Sequence, residues 1–156
     1  MKLSDFDLGL VIGMLEGEGH IGLHRHQHKR CKRPGLFCTV EIANTNSERL
    51  YYLANVLDGG FTVTAHKLSC RANRKTIYML RAAKQEVVYD FLHTVKPFLI
   101  SSELQHRCDL VLEWINIRWN LPPNIEVNKY CHTDREWEIF YELRSPNKDK
   151  MNLHEK

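Results

Sequence analysis

The stretch Ser4 to Ile21, SDFDLGLVIGMLEGEGHI, constrains this chain more than any other. Ser4, with Asp7 three residues on, reads as a helix start. Leu8, Leu10, Val11, Ile12, Met14 and Leu15 leave the helix without a polar face, so burial on all sides is expected. Gly9, Gly13 and Gly17 share one stripe of that helix. A glycine inside a helix costs about 1 kcal/mol against alanine. Three on one face imply that another backbone approaches closely there, either from a second copy of the chain or from another helix of the same one. The helix runs into Glu16-Gly17-Glu18-Gly19, with two carboxylates at the unfavourable pole of the macrodipole. A bound metal ion would compensate them; the plainer alternative is a solvated turn.

The rest of the chain has the size of one domain, 156 residues, with enough length for a real core. No apolar run reaches ~18 residues, so no membrane span is expected. The basic, apolar, small-residue order of a signal peptide is not apparent at the N-terminus. Cys31, Cys38, Cys70, Cys108 and Cys131 are odd in number and scattered, without a CxxC. Free thiols in an intracellular, reducing compartment are expected, rather than disulfides or structural zinc.

The net charge of +3 understates how the charge is arranged. Gly19 to Val40 holds no acid but carries Arg25, Lys29, Arg30, Lys32 and Arg33. Gly59 to Gln85 again holds no acid, with Lys67, Arg71, Arg74, Lys75, Arg81 and Lys84. Half of the 22 basic residues thus fall in two windows that also read as strands. A polyanion-binding face fits this better than an ordinary solvated surface.

Periodicity orders the elements. In the first strand Ile21 and Leu23 face a core, opposite His20, Gly22, His24, His26, His28 and Arg30. After a turn at Arg33-Pro34-Gly35, Cys38, Val40 and Ile42 point inward and Phe37, Thr39 and Glu41 outward. Thr45 with Glu48 reads as a capping box for a second helix that buries Leu50, Leu53, Ala54 and Leu57. In the next hairpin Phe61, Val63 and Ala65 lie opposite Thr62, Thr64 and His66. After a turn at Ala72-Asn73-Arg74, Ile77 and Met79 are placed inward, Thr76 and Tyr78 outward. A helix from Lys84 to Val95 ends at Pro97, and a longer one, capped by Ser102 with Gln105, runs through Trp119. The fold class is α+β: a four-stranded antiparallel sheet of two hairpins with helices packed on one face, in the order α-β-β-α-β-β-α-α. Residues 1–120 form the domain. Residues 121–156 form an extension, with a short helix capped by Thr133 and Glu136, apolar at Trp137, Phe140 and Tyr141, and a disordered end.

VIGMLEGEG, Val11 to Gly19, resembles the motif of the LAGLIDADG homing endonucleases in its glutamate variant. The element order over residues 1 to about 120 agrees with it. Ile12 departs from the family's small alanine. The resemblance implies a site-specific DNA endonuclease of mobile-intron origin, dependent on magnesium or a similar divalent ion. Glu18 becomes the metal ligand with the carbonyl of Gly17, and Glu16 a brace for the helix end. A single motif implies a homodimer whose motif helices meet through Gly9, Ile12, Gly13 and Glu16. Each sheet then reads one half of a pseudo-palindromic duplex. Asn44 and Arg49 match polar and basic positions beside the family's active site. The family also has a lysine shortly after the segment matching Val95 to Leu99; Ser101 and Ser102 stand there, with Lys96 before the proline.

A two-stranded ribbon fits a major groove. The outward set, His20, His24, His26, His28, Arg30, Thr39, Glu41, Thr62, Thr64, His66, Thr76 and Tyr78, is placed against DNA. Arg25, Lys29, Lys32, Arg33, Arg71, Arg74 and Lys75 are placed on phosphates. Two other classes stay open: an inactive DNA-binding relative or RNA maturase on the same fold, and a metal-binding protein using His24, His26 and His28.

Overall fold

The computed structural model describes residues 3–27, 34–57, 59–66, 76–121 and 132–144. Helix α1 spans Asp5–Glu18. Its cap is the expected one: Ser4 Oγ accepts the N–H of Asp7 at 3.1 Å and donates to that carboxylate at 2.5 Å. Val11, Met14 and Leu15 enter the core. The expectation of burial on all sides fails, because the glycine stripe faces outward. A Cβ built on Gly9, Gly13 or Gly17 would meet no atom within 4 Å.

Strand β1, Gly19–His26, follows α1 without a loop. A Cβ on Gly19 would lie 2.4 Å from the Leu15 carbonyl oxygen and 2.5 Å from its Cδ1, so only glycine lets the strand leave so tightly. Strand β2 is Gly35–Asn44, helix α2 Ser47–Val56, β3 Thr62–His66 and β4 Ile77–Ala82. Helix α3, Gln85–Val95, gives way to a 3-10 turn at Lys96–Phe98 that contains Pro97; α4 is Ser102–Trp119 and α5 Asp134–Arg144.

The four strands form one antiparallel sheet in the order β1-β2-β4-β3. Ile21 pairs with Val40, Leu23 with Cys38, and Ile42 with Leu80. These residues are buried together with Leu50 and Leu53 of α2, Val88, Phe91 and Leu92 of α3, and Cys108, Val111 and Ile115 of α4. The other face carries His20, Gly22, His24, Phe37, Thr39 and Glu41, as the alternation in the two strands requires.

β4 lies the other way round from its expected facing. Tyr78 pairs with Asn44 and Ala65, in phase with Leu80, and packs against the core. Ile77 and Met79 share the outer face with Arg81. Both parities of IYMLRA are apolar, and the charge at Arg81 decides between them. Tyr78 is therefore withdrawn from the outward set, and Thr76 precedes the strand. Two caps shift by one residue. Asn46, not Thr45, caps α2 by accepting the Arg49 N–H at 3.3 Å. Ser101, not Ser102, caps α4 by accepting the Leu104 N–H at 3.3 Å.

Helix α5 packs on α4 and β1 and adds Ile139, Phe140 and Leu143 to the same core. Its capping box is as expected: Thr133 Oγ1 accepts the Glu136 N–H at 3.3 Å, and Glu136 Oε2 accepts the Thr133 N–H at 2.8 Å. Tyr141, expected on the apolar side, is 61% exposed; Ile139 and Leu143 take that side instead. Glu136 is fully buried. Burial alone would raise its carboxyl, but His132, the Thr133 N–H and Arg118 outweigh this and hold it below the ordinary value. His132 Nε2 accepts the Leu36 N–H at 2.9 Å, so Nδ1 carries the proton and donates to Glu136 at 2.8 Å. One imidazole thus ties α5 to the start of β2.

Removing one member of a buried charged cluster leaves the others uncompensated, at about 3–5 kcal/mol. Glu136→Ala should therefore destabilise the protein by about that much in urea denaturation. A loss below ~1 kcal/mol would mean that apolar contacts alone dock α5.

Candidate active site and nucleic-acid interface

The C-terminal pole of α1 carries no basic residue in its last turn. Its two carboxylates find neutral donors instead. Glu16 Oε1 accepts the N–H groups of Ile100 at 2.7 Å and Ser101 at 3.0 Å, immediately before α4. Its oxygen therefore lies at the positive end of the α4 dipole. Glu18 is exposed, and its Oε2 accepts Asn44 Nδ2 at 2.6 Å. Asn44 Oδ1 accepts the Asn46 N–H at 2.7 Å, which fixes which way the amide points. Asn46 in turn caps α2 at Arg49. The continuous line Glu18–Asn44–Asn46–Arg49 joins the end of α1, the end of β2 and the start of α2. Arg49 is exposed and pairs with no carboxylate among the described residues.

Glu18 is a usable cation ligand: a solvent-facing carboxylate oriented from behind by Asn44. The Gly17 carbonyl lies in the last helical turn, where carbonyls lack helical partners. Magnesium takes one or two carboxylates and keeps several waters, which suits so sparse a set. Among the described residues no group of three or more His, Cys, Asp or Glu side chains could hold a metal. Lys96 is ion-paired with Asp109 of α4. Ser101 is engaged in capping α4.

The residues assigned to subunit contact divide. Gly9 and Gly13 are open. Ile12 packs against the chain's own core, and Glu16 is engaged by the α4 backbone. Phe6, on the same stripe, is 72% exposed, and Ile100, beside Glu16, is 88% exposed.

On the outer sheet face His24 stacks on Phe37 with ring centroids 5.5 Å apart, and Arg81 lies over the same ring. Glu41 Oε1 is 3.1 Å from Arg81 Nε and 3.8 Å from His24 Nε2. His20 folds across Gly22, its Nε2 only 2.8 Å from where a Cβ would stand. Thr39, opposite Gly22, is fully buried, and its Oγ1 has no hydrogen-bond partner among the described residues. It points to the expected face but is covered by neighbours, so it cannot meet a ligand as assigned. Thr62 and Thr64 are exposed on β3, and His66 closes that strand. His26 lies edge-on to Phe37. His28, Lys29, Arg30, Lys32, Arg33, Arg71, Arg74 and Lys75 lie outside the described residues. Arg81 and Phe37 were not assigned from sequence. Arg81 would have followed from the correct phase of β4, whereas the stacking on Phe37 has no local signature.

The buried thiols Cys38 and Cys108 are pushed up to about 12 by burial, which removes them as nucleophiles at neutral pH. No described helix is long and apolar enough to cross a membrane.

No protein-family model and no curated protein sequence matches the chain. Its fold is shared with solved homing endonucleases. The archaeal intron-encoded I-Vdi141I, complexed with DNA, superposes with a TM-score of 0.68 at 19% identity over 92% of this chain and 86% of its own. The LAGLIDADG homing endonuclease I-SmaMI, bound to cleaved DNA, gives 0.64 at 16% identity over 94% of this chain and 45% of its own. This chain has the LAGLIDADG homing endonuclease fold. Group I intron-encoded I-CeuI, also complexed with DNA, gives 0.62 at 12% identity over 77% of this chain, which spans 58% of the I-CeuI chain. In this LAGLIDADG fold the Glu18–Asn44 pair joins the end of the motif helix to the end of β2.

His20 and His24 are both held below the ordinary imidazole value. Partial burial lowers His20 most, and Arg107 and His24 add to it against Glu41; burial also lowers His24 most, and Arg81 and Arg144 add to it against the opposing charge of Glu41. Both are neutral at pH 7. The unfolded chain, with ordinary histidines near 6.5, binds more protons below that value. Folding stability contributed here is therefore complete above pH 6.5 and declines on acidification towards the lower folded values. Imidazole titrations by NMR should place both midpoints below 6.5. A midpoint at or above it would mean that Glu41 dominates the site.

Proposed function

We propose that the chain belongs to the LAGLIDADG family in its single-motif form. As such it is one subunit of a two-fold, divalent-metal-dependent endonuclease that hydrolyses both strands of a long pseudo-palindromic DNA duplex, of the kind mobile introns encode. The observation that carries the proposal is the exposed Glu18 carboxylate, oriented by Asn44, at the foot of a glycine stripe that no described residue covers. Three glycines make a helix locally unstable unless a close backbone approach uses the space. A second α1 crossing there brings a second Glu18 to the same place, so that each subunit supplies a carboxylate for one strand.

A divalent ion held by Glu18 and the Gly17 carbonyl would neutralise charge at the scissile phosphate and activate water. Asn44 keeps the Glu18 oxygens turned outward. Glu16 anchors the helix end to α4, so the carboxylate position is fixed by two elements. Arg49, exposed at the start of α2, is the candidate cation for the phosphate. The sheets' outer faces, with His20, His24, His26, Thr62, Thr64 and Arg81, then lie along the two half-sites.

One observation favours a second reading, a binding protein or RNA maturase without DNA cleavage. Lys96 is paired with Asp109, and Ser101 caps a helix, so the place of the family's lysine has no free amine among these groups.

Incubation with a randomised duplex library in magnesium, with calcium as the binding control, separates the readings. Discrete cuts at near-palindromic sites are expected; enrichment of bound sequences without cuts would establish the second reading. Glu18→Gln should abolish cutting and leave binding, and unchanged cutting would remove Glu18 from the chemistry. Asn44→Ala should slow cutting by about 10- to 100-fold, the usual cost of losing a group that orients a metal ligand. Gly13→Leu should yield monomers in sedimentation; a stable dimer would place the subunit contact elsewhere.

A further inference from the structure

A cavity of about 440 Å³ lies between the free edge of β1 and helix α5, lined by His20, His24, Arg25, Arg107, Phe140 and Arg144 among others. β1 is an edge strand, so its outward backbone groups have no strand partner. One is used: Ile21 O accepts Arg107 Nη1 at 3.2 Å, which fixes that guanidinium over the edge. Strand geometry turns the N–H and C=O of Leu23, two residues on, to the same side. From the far wall Arg144 enters over the Phe140 ring, 5.1 Å from its centroid. Arg107 has an exposed partner in Glu103, whereas Arg25 and Arg144 pair with no carboxylate among the described residues. Glu41, the nearest acid on the sheet, faces Arg81 and His24. The cavity thus concentrates positive charge with an apolar floor and unpaired donors.

We propose that this cavity seats a backbone phosphate of the bound DNA, gripped between Arg107 and Arg144. Helix α5 thereby becomes part of the nucleic-acid interface. The inference rests on the proposed DNA-binding function and extends it to the C-terminal segment. Its position suits the role, because His20 and His24 belong both to the cavity and to the outer sheet face. A groove-bound ribbon leaves phosphates beside its edge strand, which is where α5 stands. The volume admits a sugar-phosphate unit rather than a bare ion. A phosphate here also opposes the field of Arg144 at His24, a ring that burial first, and then Arg81 and Arg144, hold below its ordinary value against Glu41. Binding should draw a proton onto that ring.

The test uses the full chain and a random-sequence duplex, because a phosphate contact acts on every sequence. Affinity is measured by fluorescence anisotropy across a salt series in calcium. Arg144→Gln should weaken binding of all duplexes and reduce the slope of log K against log salt by about one. Arg144→Lys should recover most of that slope, and a thermal melt of each variant checks that the helix stays docked. Duplex binding should raise the NMR midpoint of His24 in the wild type and do so less in Arg144→Gln. An unchanged slope and an unchanged midpoint, with duplex binding intact, would overturn the phosphate seat and leave the proposed function standing. Failure of the wild type to bind any duplex at low salt would overturn both. A slope change seen only with RNA would reassign the cavity to that polymer.

Discussion

Two helix poles meet at the centre of this structure, and the arrangement around them depends on that meeting. The C-terminal end of α1 bears Glu16 and Glu18 with no cation of its own. The start of α4 offers free N–H groups at Ile100 and Ser101, and Glu16 accepts both. Like-signed partial charge at one pole is thus balanced by the opposite pole of a helix far away in sequence. With Glu16 held there, the exit of α1 is fixed, and Gly19 lets β1 begin at once. The position of Glu18 follows from these two constraints, and Asn44 sets only its orientation.

The same geometry explains why the helix is built as it is. One side of α1 is core, through Val11, Met14 and Leu15; the other is bare backbone at Gly9, Gly13 and Gly17. No described residue of the monomer uses that second side, where alanine would be accommodated and would favour the helix by about 1 kcal/mol per position. The subunit contact proposed above gives the glycines a use, because a backbone can approach them more closely than it could a side chain. Phe6 and Ile100, both strongly exposed, give that surface apolar flanks.

Much of this was legible in the sequence. The single sheet, the facing of β1, β2 and β3, and the buried stripe of α2 follow from periodicity, because one face of each of these elements is decisively apolar; the motif is legible as a resemblance. β4 was not legible by that rule: Ile77 and Met79 compete with Tyr78, Leu80 and Ala82, and the charge at Arg81 together with the pairing of Leu80 with Ile42 and Val63 fixes the phase. The caps slipped by one because Thr45-Asn46 and Ser101-Ser102 each offer adjacent candidates. Thr39 was placed on the right face, yet it is fully buried opposite Gly22, a packing outcome that alternation does not record. The bond from Glu16 to the α4 backbone spans more than half the chain and leaves no local trace.

Helix α5 shows how an appended segment acquires a fixed place. Its capping box, Thr133 with Glu136, is local and could form in isolation. The step that docks it is the burial of that same Glu136, which serves at once as cap, as partner of Arg118 and as acceptor from His132. His132 then hands its other nitrogen to the backbone of β2. Since β1 is paired with β2 along the whole of β1, anchoring α5 to β2 also holds it against the β1 edge. Arg144, at the end of α5, is thereby positioned over the same strand that presents His20 and His24. A buried carboxylate that is costly by itself becomes the reason why a terminal helix can contribute a cation to a sheet edge with defined geometry.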